Sequence, residues 1–152
     1  MSSKTGNTPL QEGRESMLEI YFPMSARILT VGHIKSLEWL TQYGFVTIGL
    51  LTSKAMSRYK DEIVPYYERK YILDTIAQAV EDVNVVPQES LNPAPNIRKY
   101  GCNALASGDG FEEIELKAIK ELRLKRIDIK LRGERSKLYS SSTIINKIKS
   151  LT

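Results

Sequence analysis

Residues 45–51 read FVTIGLL, and this run decides the fold class. A strand with one wet face alternates apolar and polar residues. Nearly continuous hydrophobicity instead predicts a strand covered on both faces, as in a parallel sheet. Upstream, residues 18–22 form a second buried apolar run, ended by Pro23. A loop follows, and Gly32-His33 opens a helix with Ile34, Leu37 and Leu40 on one face. Trp39 lies off that stripe and is expected to cover a neighbouring surface, and Gly44 is expected to end the helix.

Downstream of FVTIGLL, residues 52–59 suit a short helix or turn and 60–64 a loop. Pro65 fits the first turn of a further helix that runs to Val80, with Ile72, Leu73, Ile76 and Val80 inward. Residues 83–86 make a short strand closed by Pro87, and 96–100 a helical turn. Residues 104–106 form a weak strand leading into Ser107-Gly108-Asp109-Gly110. Phe111, Ile114, Ala118 and Leu122 carry the spacing of an amphipathic helix over 111–124. A strand at 127–131, a loop at 133–138 and a helix from Ser140 complete the chain. Strands and helices thus alternate, which predicts an α/β doubly wound parallel sheet of about five strands flanked by helices. Ligands of such sheets bind beyond the carboxyl ends of the strands, near the switch in strand order.

The composition sets outer limits. At 152 residues, 41% hydrophobic and 26% charged, the chain suits one ordered domain. Residues 1–16 are polar and hold Gly6, Pro9 and Gly13, so they are expected to be a flexible tail, with the domain at 17–152. The net charge of +4 suits anionic ligands without singling them out. The basic stretch from Lys117 to Lys137 is interrupted by acids, which argues against a nucleic-acid surface. No run approaches the roughly 18 apolar residues that span a bilayer. The single cysteine, Cys102, suits a reducing compartment and a structural role, so a cytoplasmic location is expected.

Two loops carry residues suited to phosphate. Thr30-Val31-Gly32-His33 stands between a strand and a helix. There a glycine permits close backbone approach, and the helix start offers N–H groups to an anion. Residues 135–142, RSKLYSSS, place Arg135 and three serines before the last helix. Arginine brings a fork of donors suited to phosphate, and serine hydroxyls add to those of the helix start.

On these residues the chain resembles the HxGH-motif nucleotidyltransferases, a superfamily with a Rossmann-like sheet. It looks most like the cytidylyltransferases related to glycerol-3-phosphate cytidylyltransferase and the similar domains associated with phosphoenolpyruvate mutase. The matching stretches come in order: MSARILTVGHI, VTIGLLTSKAMSRYK, PYYERK, VPQESL, PNIRKY and SGDGF. The resemblance implies that Gly32 and His33 hold the triphosphate and that Lys60 lies near the phosphates. It also implies that Asp109 lies by the base and that Arg135 with Ser140, Ser141 and Ser142 makes a second phosphate signature. Arg69 matches an arginine of the third helix and is assigned, with Arg27, to substrate. The departures are Thr30 for the first histidine of HxGH, Arg27 for an aspartate, Gly110-Phe111 for an acid and tryptophan, and Leu138 for a glycine. Phosphopantetheine adenylyltransferases carry TxGH, so threonine fits a working site.

The implied reaction moves CMP from CTP to a phosphate- or phosphonate-bearing alcohol, with Mg²⁺ and release of pyrophosphate. No metal is expected to be held by a dedicated set of protein ligands. His33 is expected to stabilise the transition state, Lys60 and Arg135 to clamp charge, and Thr30 and Ser140 to Ser142 to position phosphates. The resemblance adds a homodimer and no nucleic-acid or membrane partner. An adenylyltransferase using ATP and a non-catalytic nucleotide-binding homologue are the alternatives. Convergence of the turns at 30–33 and 135–142 on one triphosphate is the geometric expectation behind the whole reading.

Overall fold

A computed structural model describes residues 17–108, 110–129 and 149–150. Its strands are β1 (Leu18–Met24), β2 (Gly44–Leu51), β3 (Val83–Gln88), β4 (Ala104–Ser107) and β5 (Lys125–Asp128). They form one sheet in the order β3-β2-β1-β4-β5, with every neighbouring pair parallel. The described helices are α1 (Val31–Leu40), α2 (Ser53–Met56), α3 (Tyr66–Val80), α4 (Ala94–Tyr100) and α5 (Glu113–Leu122). The expected α/β doubly wound parallel sheet is therefore the observed one.

Both faces of the sheet are covered, as the apolar run of β2 requires. Successive residues of a strand point to opposite faces. Ile20 and Phe22 of β1 pack in one core with Ile48 and Leu50 of β2, Leu37 and Leu40 of α1, and Leu73 and Ala77 of α3. Tyr21, between them in sequence, belongs to the other core with Val86, Ile97 of α4 and Leu105. Phe111, Ile119 and Leu122 close this second core.

Several boundaries differ from expectation, each for a physical reason. Helix α1 ends at Leu40, and Gly44 is the first residue of β2 rather than a helix stop. A Cβ at Gly44 would lie 1.9 Å from the carbonyl oxygen of Leu18, so this glycine serves strand approach. Trp39 packs against the first core and meets Tyr43 edge-on, with ring centroids 5.3 Å apart. In α3 Leu73 is buried and Ile76 and Val80 pack against the first core as expected, but Ile72 is 43% exposed, and Arg69 and Ala77 are the other buried residues. Helix α4 is a full element, not a turn, and Gly101 stops it in the left-handed region at φ 68°. Helix α5 begins at Glu113, so Phe111 packs from the preceding loop. Strand β5 runs over Lys125–Asp128, two residues earlier than expected at its start, and residues 130 and 131 lie outside the described residues. Pro87 lies inside β3 rather than after it, which an edge strand tolerates.

Gly49 shows how tightly β1 and β2 are joined. The Tyr21 hydroxyl lies over it, donating to Gln88 Oε1 at 2.6 Å and accepting from Asn96 Nδ2 at 2.9 Å. Burial pushes the Tyr21 phenol above its ordinary pKa, so it remains a neutral donor. A Cβ at Gly49 would stand 1.8 Å from that hydroxyl and 2.6 Å from Gln88 Oε1. Gly49→Ala is therefore expected to cost about 1–3 kcal/mol through overpacking. A lower urea midpoint at constant m-value is the expected result, and an unchanged midpoint would contradict the clash.

Candidate active site

The chain visits β1, β2 and β3 in one direction along the sheet, then returns to the other side of β1 for β4 and β5. The loops after β1 and β4 consequently part at their carboxyl ends, which opens a crevice there. A cavity occupies this position. Pro23 and Met24 line it from the end of β1, Leu51 from β2, Gln88 from β3 and Ser107 from β4. The loops beyond these strands add Arg27, Tyr59, Lys60, Gly108 and Gly110, and His33 adds to the wall from α1.

The first wall is built by local hydrogen bonding. Thr30 is the extended N-cap of α1, with φ −130° and ψ 171°. Its N–H donates to His33 Nδ1 at 3.0 Å, and its Oγ1 lies 3.2 Å from the same nitrogen. An imidazole nitrogen that accepts an N–H carries no proton, so the ring's own proton is on Nε2. The histidine is thus held in one orientation and one tautomer, with the ring's proton on Nε2. Thr30, standing where the resemblance expects a histidine, contributes to that orientation. Gly32 is buried in the first turn of α1. Earlier in the loop, Ala26 is buried at φ 51°, a left-handed conformation that costs an L residue about 1–2 kcal/mol.

Arg27 and Lys60 bring positive charge from two different loops. Arg27 Nε donates to the carbonyl oxygen of Asp61 at 2.9 Å, which ties the loop after β1 to the one after α2. Lys60 Nζ stands 4.7 Å from the centroid of the Tyr59 ring, a cation–π contact. Three of the residues singled out in the sequence, Arg27, His33 and Lys60, therefore face one cavity.

Arg69, expected to contact substrate, does not line this cavity. It is 1% exposed and spent on the scaffold. Its Nε donates to Val64 O at 2.8 Å, and its Nη1 to Ser25 O at 2.9 Å and Leu51 O at 2.7 Å. Its Nη2 meets Glu62 Oε2 at 2.5 Å. Asp109, Arg135, Ser140, Ser141, Ser142 and Leu138 lie outside the described residues.

Other wall residues were not singled out in the sequence. Gln88 is buried and held by Tyr21, and its Nε2 donates to Ser90 O at 2.9 Å. Glu112, Ile114 and Glu115 approach from the start of α5. Glu115 Oε1 accepts from the Glu112 N–H at 2.9 Å. Burial pushes its carboxyl above the ordinary value, against that hydrogen bond. Glu112 lacks the Ser or Thr of the usual capping-box signature, so neither this helix start nor the way it faces was legible. Ser107 Oγ donates to Gly110 O at 2.5 Å, which ties the end of β4 to the loop before α5. Cys102 is not on the wall, and burial pushes its thiol up to about 11, as befits a structural residue.

The family profile of cytidylyltransferase-like proteins matches residues 25–147, from the loop after β1 onward. The chain belongs to the cytidylyltransferase-like family. For this cytidylyltransferase-like protein, solved structures give the same fold. A lipopolysaccharide core biosynthesis protein from Thermoplasma volcanium GSS1 superposes with a TM-score of 0.58 at 22% identity, over 74% of this chain and 95% of that one. A search of curated protein sequences returned no match. Among the described residues, no helix is long and apolar enough to cross a membrane.

Proposed function

We propose that this protein is a nucleotidyltransferase that moves CMP from CTP to a phosphate- or phosphonate-bearing alcohol and releases pyrophosphate. The observation that carries the reading is the meeting of Arg27 and Lys60, from two separate loops, with His33 of α1 in one cavity at the strand-order switch. An anionic oxygen of the acceptor attacks the α-phosphorus in line. The bond from that phosphorus to the bridging oxygen breaks, and pyrophosphate leaves with the electron pair. The attacking oxygen is already deprotonated near neutral pH, so no strong general base is needed. Catalysis then consists of alignment and charge stabilisation.

His33 donates from Nε2 to an oxygen of the reacting phosphate, in the orientation that Thr30 sets. Gly32 lets the backbone approach the same group. Lys60 and Arg27 neutralise charge on the triphosphate and the acceptor. Arg135 with Ser140, Ser141 and Ser142 is assigned to the second phosphate-holding turn, and Asp109 to the base, by resemblance. Among the described residues no group of three or more His, Cys, Asp or Glu is placed to hold a metal. A Mg²⁺ ion, implied by the resemblance, would arrive with the nucleotide and supply positive charge to offset that of the phosphates. A homodimer is part of the same proposal.

Thr30 in a TxGH sequence favours a second reading, in which ATP replaces CTP. Thermal unfolding with Mg²⁺ and each nucleotide separates the two. At a hundredfold excess over Kd, the preferred nucleotide is expected to raise Tm by roughly 5–10 °C. A shift with ATP alone would move the assignment to adenylyl transfer. Nucleotide binding without pyrophosphate release from any of several phospho-alcohols and phosphonates would leave a binding protein.

A further inference from the structure

The segment between α2 and α3 delivers Tyr59 and Lys60 to the cavity, yet it has no regular structure beyond its first turn. That turn is closed by bonds from the N–H groups of Tyr59 and Lys60 to Met56 O, at 2.9 and 3.1 Å. Two residues past Lys60, the Glu62 carboxylate is fastened from both sides. Ser53 Oγ of α2 donates to its Oε2 at 2.8 Å, and Arg69 Nη2 of α3 meets the same oxygen. Arg69 in turn holds Ser25, two residues before Arg27, and Leu51 at the end of β2. One guanidinium and one carboxylate thus set the wall that carries Lys60 relative to the wall that carries Arg27.

We propose that Glu62 is a positioning residue: clamped between Ser53 and Arg69, it latches the 57–65 segment so that Lys60 is held against the triphosphate. The inference rests on the reading of the cavity as a nucleotide site. The chemistry supports a latch more than a general stabiliser. The Glu62 side chain is 27% exposed and stands four residues before the start of α3 at Tyr66, where it has no core to fill. Its bonds run instead to the two helices that flank the segment. Burial pushes its carboxyl up, but the bonds from Ser53 and Arg69 and the charge of Arg69 outweigh this and hold it below the ordinary value. It is therefore ionised at neutral pH and presents a full charge to the guanidinium. Arg27 adds a second tie on the adjacent residue, through Asp61 O.

The test is a double-mutant cycle on affinity, read with CTP, ATP and inorganic triphosphate by calorimetry in the full chain. Glu62→Gln keeps an oxygen for Ser53 and Arg69, so it preserves the fold better than Glu62→Ala. It is expected to weaken binding of the preferred nucleotide about tenfold in the otherwise unchanged protein, and much less in a Lys60→Ala background. Ser53→Ala, at an exposed position, removes one tether and leaves the ion pair. It should show the same dependence on Lys60 with a smaller loss. A role confined to stability predicts something else: equal fold losses with Lys60 present or absent. Such additivity in a protein that binds nucleotide overturns the latch while the enzyme reading stands. Failure of the unchanged protein to bind any of the three probes overturns the nucleotide site and the latch with it.

Discussion

His33→Ala lowers turnover by roughly 10²-fold or more, the size of loss seen when a transition-state donor is removed. The argument is geometric. Thr30 N–H occupies Nδ1, so the proton of the ring is on Nε2, and the ring lines the cavity where phosphate is proposed to bind. Alanine removes that donor and also the acceptor that satisfies Thr30 N–H. The second loss weakens the start of α1 by about 1 kcal/mol, a stability effect that has to be told apart from catalysis. His33→Gln does so. A glutamine at the third helical position can still accept from the cap backbone, as in a capping box, but it lacks the ring donor. Thermal stability is expected to return to near wild type in His33→Gln, with turnover still depressed. Pyrophosphate release at saturating nucleotide measures the turnover. Near-wild-type rates in both variants would exclude the role given to His33.

Arg69→Ala destabilises the fold by about 3–5 kcal/mol, chiefly because it strips a buried hydrogen-bond network of its donor. Three carbonyl oxygens, on Ser25, Leu51 and Val64, lose their donor together. An unsatisfied buried acceptor costs more than the bond was worth, since water cannot replace the donor. Glu62 suffers less, because part of its carboxylate reaches solvent. A loss of this size is a large share of the total stability of a domain. Arg69→Lys keeps the charge but offers no planar fork, so it is expected to recover only part of the loss. Urea unfolding measures both variants. An unchanged midpoint in Arg69→Ala would refute the scaffold role and return Arg69 to the list of candidate substrate contacts.

The contrast between His33 and Arg69 marks what was legible in the sequence. Both were singled out for anion binding. His33 owes its orientation to a residue three positions away, and short-range bonds at a helix start can be read from a four-residue motif. Arg69 reaches across 44 positions to Ser25 and 18 to Leu51, and nothing in its own helix announces that. A buried arginine also breaks the hydrophobic stripe by which inward faces are recognised. That is why the inward face of α3 was read with Ile72 included and Arg69 left out. Gln88, Glu112 and Glu115 were passed over for a related reason. Polar residues at the ends of elements look alike, whichever way the end faces.

The alternation of apolar runs and helical stripes was enough to determine the class of fold. A strand such as FVTIGLL has no wet face, so it must lie inside a sheet covered on both sides. Sequence also determined the TVGH helix start, because its bonds close within a few residues. The tertiary structure alone decided that Arg27, His33 and Lys60 share a cavity, and that Gly49 must yield space to Tyr21. Those facts follow from the strand order β3-β2-β1-β4-β5, in which residues distant along the chain become neighbours. Periodicity records which face of an element is buried; it carries no record of which element lies next to it.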